Sequence, residues 1–295
     1  EFWIVIAEKE LEMQHERMSV AVKEMAPNLV PLFMECIQAR DPEEDADEDE
    51  EQATLTVMGA SALRSVLKLD GLRSISHLAD DFLTAERFSD EDWRIRESTI
   101  MAMSLALEAL AEVSDADGVA AKRMAKQICD NFMEELLVRC DENAERFDPN
   151  PQARDTNTFV IAIVIRFFFD FIPEALHDDL FRILIDRLQD HPRVARQSCF
   201  ALLCLARVTA GEAEDEANAL TGSLNDLLKV LVDTYDRDDA GVFGLRNAAF
   251  EAMNELLAAA AVGAPEPREL LVEFLNFIFE RLNDAINAEV STEGE

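Results

Sequence analysis

The sequence predicts an all-α fold, a solenoid of stacked helix pairs, on three observations. Ala, Leu, Glu and Asp dominate a chain that is 49% hydrophobic, with only nine Gly and nine Pro among 295 residues, which favours helices over strands. A turn followed by a helix rich in small residues recurs along the chain. Apolar residues between these segments follow a 3.6-residue stripe, and no stretch alternates with period two.

Five segments carry the recurrence: Gln52-Ala53-Thr54 onward, Asp92-Trp93-Arg94-Ile95-Arg96, Pro151-Gln152-Ala153-Arg154-Asp155, His191-Pro192-Arg193-Val194-Ala195-Arg196 and Gly244-Leu245-Arg246. Counted from Ala53, Trp93, Gln152, Pro192 and Val242, the steps are 40, 59, 40 and 50 residues. A unit of about 40 with insertions fits the HEAT and armadillo range rather than the shorter tetratricopeptide or ankyrin periods. The expectation is therefore a right-handed α-solenoid of HEAT repeats running through 1–295 as a single array. Helix pairs fall near 18–69, 71–112, 118–170, 173–209 and 220–260, with partial repeats at 1–15 and 266–287. One such pair cannot bury both apolar faces, so each repeat needs its neighbours. The chain opens on Glu1 rather than Met, and its end repeats lack polar caps, so a stretch of a longer solenoid is expected.

Within the repeats the stripes are explicit. Leu176, Leu180, Leu184 and Leu188 recur at every fourth position, flanked by Phe181 and Ile185, and Leu271, Phe274, Leu275, Ile278 and Leu282 repeat the pattern near the end. Pro173, Gly211, Gly222, Gly263, Pro265 and Pro267 supply breaks between helices. Phe159 to Ile172 is the most apolar run. It carries Arg166 and Asp170 and stops at Pro173, too short for a membrane span and suited to a buried helix.

Sixty-one acidic against 27 basic residues leave a net charge of −34. Such a surface repels nucleic acid, whose binding requires Lys and Arg on phosphates, and it attracts basic protein segments. Neither direct nucleic-acid binding nor membrane insertion is expected. Cys36, Cys129, Cys140, Cys199 and Cys204 lie in apolar helical stretches without paired spacing and read as small core residues of a reducing compartment.

Enzyme chemistry has no sequence signal. His15, His77, His177 and His191 are scattered without metal-ligand neighbours at helical spacing. There is no Gly-rich phosphate loop, no Gly-x-Ser-x-Gly elbow and no Cys/His nucleophile pairing. No catalytic residue, cofactor or metal is expected.

Two features could carry binding. From Asp41 to Glu51 nine of eleven residues are acidic and none is basic. The run falls between the helices of the first pair, and like-charge repulsion favours an extended arm. It reads either as a solvated insertion or as an electrostatic arm for a basic partner. The second feature is a set of aromatics, Trp93, Phe159, Phe200 and Phe250, expected in the first turns of successive second helices, which line the concave face of a solenoid. Core packing and ligand contact are both open for each of them.

The same residues carry a family resemblance. Glu1-Phe2-Trp3, Leu29-Val30-Pro31-Leu32, the acidic run and Asp92-Trp93-Arg94-Ile95-Arg96-Glu97 with Met101-Ala102-Met103 resemble, in that order, the central repeats of the importin-β (karyopherin-β) family. Arg154-Asp155-Thr156, Pro173-Glu174-Ala175, Pro192-Arg193-Val194-Ala195 and Leu245-Arg246-Asn247-Ala248-Ala249-Phe250-Glu251 continue the series. The resemblance implies a nuclear import receptor that works between cytoplasm and nucleus and at the nuclear pore. Its implied partners are the basic importin-β-binding helix of importin-α or basic cargo, Ran-GTP, and Phe-Gly nucleoporins. The implied contact residues for the basic partner and Ran are Glu43, Glu44, Asp45, Asp47, Glu48, Asp49, Glu50 and Glu51, with Trp93, Asp155, Phe159, Phe200 and Phe250 as concave-face candidates. Gln52, Phe159 and Phe200 stand where the family has Trp. Phe stacks on Arg more weakly than Trp, so adaptor binding is expected to be altered. A HEAT scaffold of the phosphatase-regulatory type is the alternative.

Overall fold

The computed structural model describes residues 16–39, 54–113, 117–210, 223–259, 272, 274–279 and 281. The described residues form helices and connecting turns, with no strand among them. In chain order the helices are α1 (Glu16–Gln38), α2 (Leu55–Asp70), α3 (Leu72–Asp81), the single turn α4 (Ala85–Phe88), α5 (Trp93–Glu112), α6 (Gly118–Cys140), α7 (Pro151–Phe168), α8 (His177–Arg187), α9 (Pro192–Thr209), α10 (Leu224–Tyr235) and α11 (Leu245–Ala259). Residues 272, 274–279 and 281 are helical as well.

The sequence fixes where the second helices start. Thr54, Asp92 and Asn150 accept hydrogen bonds from Val57 N–H (3.3 Å), Arg94 N–H (3.0 Å) and Gln152 N–H (2.8 Å). His191 Nδ1 accepts from Arg193 N–H at 3.4 Å. Pro151 and Pro192 occupy the first helical position, where a missing N–H costs nothing. Each cap contributes about 1 kcal/mol. The fifth pair begins differently. A 3₁₀ turn, Val242–Gly244, leads into α11 with Phe243 at φ 54°, ψ 17°, a left-handed conformation costing a bulky residue about 1–2 kcal/mol.

The second helices form a continuous layer: α2 packs on α5, α5 on α7, α7 on α9 and α9 on α11. Six consecutive residues of α7, Val160 to Ile165, are buried. That explains the apolar run seen in the sequence, because α7 packs on α5, α6 and α9 and buries most of its circumference. Leu180, Leu184 and Leu188 turn the stripe of α8 into the core, each contributing about 1.5–3 kcal/mol by burial. Gly59 sets the closest approach of α1 and α2, since a Cβ there would lie 2.7 Å from the Cys36 Cβ. Cys129, Cys140, Cys199 and Cys204 are free and buried, and Cys36 is free and half-buried. No described helix is long and apolar enough to cross a membrane.

Buried ion pairs lock successive repeats at the turn edge. The Arg96 guanidinium donates to Asp148 at 2.7 and 2.8 Å, and Arg154 donates to Asp190 at 2.9 and 2.7 Å. Arg154 also donates to the Asp148 carbonyl (2.8 Å), and Arg237 to the carbonyls of Leu188 (2.6 Å) and Asp190 (2.8 Å). The Phe147 ring lies against the guanidiniums of Arg154 and Arg187, at 4.8 and 5.4 Å.

Candidate functional site

The acidic residues Glu43, Glu44, Asp45, Asp47, Glu48, Asp49, Glu50 and Glu51, and Gln52 beside them, lie outside the described residues. The other predicted residues can be placed. Trp93 is the first residue of α5, whereas Phe159 and Phe200 are each the ninth residue of their helices. The expectation that all four aromatics sit in first turns is therefore corrected. The prolines at 151 and 192 start α7 and α9 two turns ahead of the rings. Phe250 takes the same ninth position when counted from Val242, and Met101 is its counterpart in α5. The true row is thus Met101, Phe159, Phe200 and Phe250, with Trp93 apart from it.

All four residues of that row are half-buried and rest on the core. Phe159 and Phe200 stack with ring centroids 6.3 Å apart, and Phe250 stacks on Phe274 at 5.9 Å. Each of the three rings packs on a neighbouring ring and keeps partial exposure.

Charges flanking the row differ from the global balance. The five second helices carry ten basic and seven acidic residues, a net of +3 in a chain of net −34. One turn before the Phe positions stand Asp155, Arg196 and Arg246, and two turns after stand Arg166, Arg207 and Leu257. α9 contributes Arg193, Arg196 and Arg207 and no acid at all. Asp155 pairs with Arg193 at 3.6 Å, and Arg207 with Glu255 at 2.9 Å. The hydrogen bond from Arg207 holds the Glu255 carboxyl below its usual range. Among the described residues Arg196 donates to the Phe243 carbonyl (3.4 Å), Arg246 donates to the Tyr235 carbonyl (3.4 Å) and lies over its ring at 5.5 Å, and Arg166 stacks on Phe167. Arg166, Arg196 and Arg246 are exposed and pair with no carboxylate among the described residues.

Beside the row, at the starts of the second helices, a groove of about 240 Å³ is lined by Trp93, Pro151, Gln152, His191, Arg193 and Phe243, with Asn150. The Arg193 guanidinium lies over the Phe243 ring at 5.0 Å, and His191 tilts against it at 5.6 Å. Sequence reasoning found the aromatics but missed the arginines around them. The signal was available: α9 reads as a helix with three Arg and no acid. The described residues hold no His, Cys, Asp and Glu cluster that could bind a metal.

Capped helix pairs stacked through a continuous second-helix layer, with an exposed aromatic and cationic face, define an α-solenoid. The sequence family described as importin subunit beta-1-like, TPR repeats, matches residues 179–294. Importin subunit beta-1 of Arabidopsis thaliana is 26% identical over 306 residues, covering 98% of this chain and 32% of its own length. The structure of yeast importin-β (Kap95p) superposes with a TM-score of 0.74 at 18% identity, covering 96% of this chain and 31% of that one. Structures of Kap95p concerned with RanGDP and with Nup1 each give a TM-score of 0.73, at 17% and 18% identity, covering 96% and 97% of this chain and 31% of theirs. The importin-β resemblance read from the sequence is borne out, and the helix pairs have the importin-β solenoid fold. The chain spans about a third of the length of these relatives.

Proposed function

We propose that this chain is the cargo-capturing stretch of an importin-β-type nuclear transport receptor, and that it holds a basic protein segment released when Ran binds GTP. The carrying observation is the acidic run Asp41–Glu51, nine acids in eleven residues, set between α1 and α2 of a chain that matches importin subunit beta-1 over 98% of its length. Carboxylates Glu43 to Glu51 would meet Lys and Arg of an adaptor helix or of cargo, and in turn basic residues of Ran. The yeast structures concerned with RanGDP and with Nup1 support Ran and a nucleoporin as partners here, with the chain moving between cytoplasm and nucleus.

The second helices contribute little to attracting a basic ligand, since their own net charge is +3. Attraction falls to the acidic run and to acids outside those helices. The deciding experiment is a pull-down of a basic importin-β-binding helix by the receptor containing this chain, with and without Ran-GTP. Capture that Ran-GTP reverses supports the reading. Capture indifferent to Ran-GTP, or no capture, overturns it.

A further inference from the structure

The second-helix face of the last three complete pairs opposes the charge of the whole chain. Its row of half-buried rings, Phe159, Phe200 and Phe250, is bordered on one side by Arg196 and Arg246 and on the other by Arg166 and Arg207. Arg166 and Arg207 each stand seven residues after a ring, Phe159 and Phe200, on α7 and α9, which pack together. Among the described residues of these second helices the acids are Asp155, Glu251 and Glu255, of which Asp155 pairs with Arg193 and Glu255 with Arg207. The groove between Trp93 and Phe243 continues the same chemistry at the helix starts.

An extended row of rings edged by guanidiniums, three of which (Arg166, Arg196 and Arg246) meet no carboxylate among the described residues, is complementary to a chain that alternates carboxylates with apolar side chains. Guanidiniums grip carboxylates through paired N–H donors, and half-exposed rings supply contact area at little entropic cost. A basic helix laid here would set its charges against Arg166, Arg196 and Arg246. The net −34 does not forbid an acidic ligand, because charges farther than about 8 Å are screened at physiological salt. The four arginines at the row outnumber the three acids of the same helices, Asp155, Glu251 and Glu255.

We infer that the Phe159–Phe200–Phe250 row, bordered by Arg166, Arg196, Arg207 and Arg246, is a docking face for an acidic segment of a partner protein bearing aromatic or aliphatic side chains. Its carboxylates sit on the arginines and its apolar side chains on the exposed ring faces. The face shares no residue with the acidic run Asp41–Glu51.

The test is fluorescence anisotropy on the whole chain, with a labelled peptide of glutamates flanking a central phenylalanine as probe. Its glutamine counterpart and a lysine counterpart serve as controls. The acidic probe is expected to bind, the glutamine peptide to bind at least about tenfold more weakly, and affinity to fall as salt rises. Arg196→Gln with Arg246→Gln alters only exposed side chains and should weaken the probe about tenfold or more while unfolding is unchanged. Phe243→Gly relieves the left-handed backbone while removing a ring, so lost affinity with undiminished stability supports the groove as part of the face. Equal binding by the double variant, no binding by the original chain, or tighter binding of the lysine peptide at these arginines overturns the proposal. So does a dimer of the chain dissolved by the same substitutions, which would assign the face to a second copy. Capture of a basic adaptor helix, measured in parallel, is expected to survive the double variant, so the two readings fail separately.

Discussion

Arg154 and Asp190, 36 residues apart in the chain, meet through two parallel hydrogen bonds of 2.9 and 2.7 Å, with side chains only 10% and 7% exposed. The pair joins the start of α7 to the turn before α9, and Arg187 adds a 2.6 Å bond to the same carboxylate. Geometry of this kind fixes how one repeat sits on the next, because a bidentate pair tolerates little rotation.

Asp190→Asn is therefore expected to cost about 3–5 kcal/mol, the scale for breaking a buried pair and leaving its cations without their anion. Equilibrium urea unfolding of both chains measures it. A cost near the 0–1 kcal/mol of a surface pair would mean that the carboxylate contributes only solubility.

The pH dependence has a defined sign. Burial alone would raise the Asp190 carboxyl. The Arg154 hydrogen bonds, the His191 N–H and the charges of Arg154 and Arg187 outweigh it and hold the group below its usual range. Stability from a depressed carboxylate is fully present above the unfolded value near about 3.9 and is lost as pH falls through the folded value. The stability gap between the original chain and Asp190→Asn should thus stay constant from neutral pH to about 5 and narrow as pH falls below the unfolded value near about 3.9.

Thiol chemistry gives an independent check on the core. Burial pushes Cys129 and Cys199 up to about 12, and Cys140 and Cys204 up to about 11. Because the thiolate is the reacting form, an aromatic disulfide reagent at mildly alkaline pH should leave these four unreacted in the folded chain. At most Cys36 should respond, and all five should react in denaturant. Prompt reaction of Cys199 or Cys204 would contradict the packing of α9.

How far the sequence could be read follows from the same residues. Helix class and the stripe through Leu180, Leu184 and Leu188 were legible, because 3.6-residue spacing is imposed by the core each face must enter. The starts of α5, α7 and α9 were legible in Asp92, Asn150 with Pro151, and Pro192. The registration of the rings was not. Placing Phe159 and Phe200 in the first turn overlooked that two turns separate them from the prolines. Ion pairs such as Arg154 with Asp190 were invisible too, since only stacking brings residues so far apart in the chain into contact. A net charge of −34 also concealed a second-helix layer of net +3, because a sum over the chain says nothing about which face holds each sign.

Phe200→Ala probes the ring row. Phe200 is half-buried, rests on the core and stacks on Phe159, so it should cost about 2–3 kcal/mol, less than the roughly 3–5 of a fully buried Phe. The double variant Phe159→Ala with Phe200→Ala should cost less than the sum of the two single changes, by about 0.5–1.5 kcal/mol for the lost ring pair. Strict additivity would show that the rings do not interact.

The last prediction concerns the acidic run. Since the second helices are net basic, long-range attraction of a basic adaptor helix has to come from acids elsewhere, and Asp41–Glu51 is their densest concentration. Exposed charges act over about 8 Å at physiological salt, so association should slow steeply as salt rises. Replacing Asp45, Asp47, Glu48, Asp49 and Glu50 with Ser or Asn should flatten that dependence and lower the association rate about tenfold or more at low salt. Dissociation should change far less, because long-range charge acts on encounter rather than on the packed complex. Helicity should not change, since none of the five lies in α1 or α2. Stopped-flow association at several salt concentrations separates the cases. An unchanged salt slope would reduce the run to a solvated insertion and move the attraction to acids of the first helices and turns. A slope lost together with helicity would instead tie the run to the folding of the first pair.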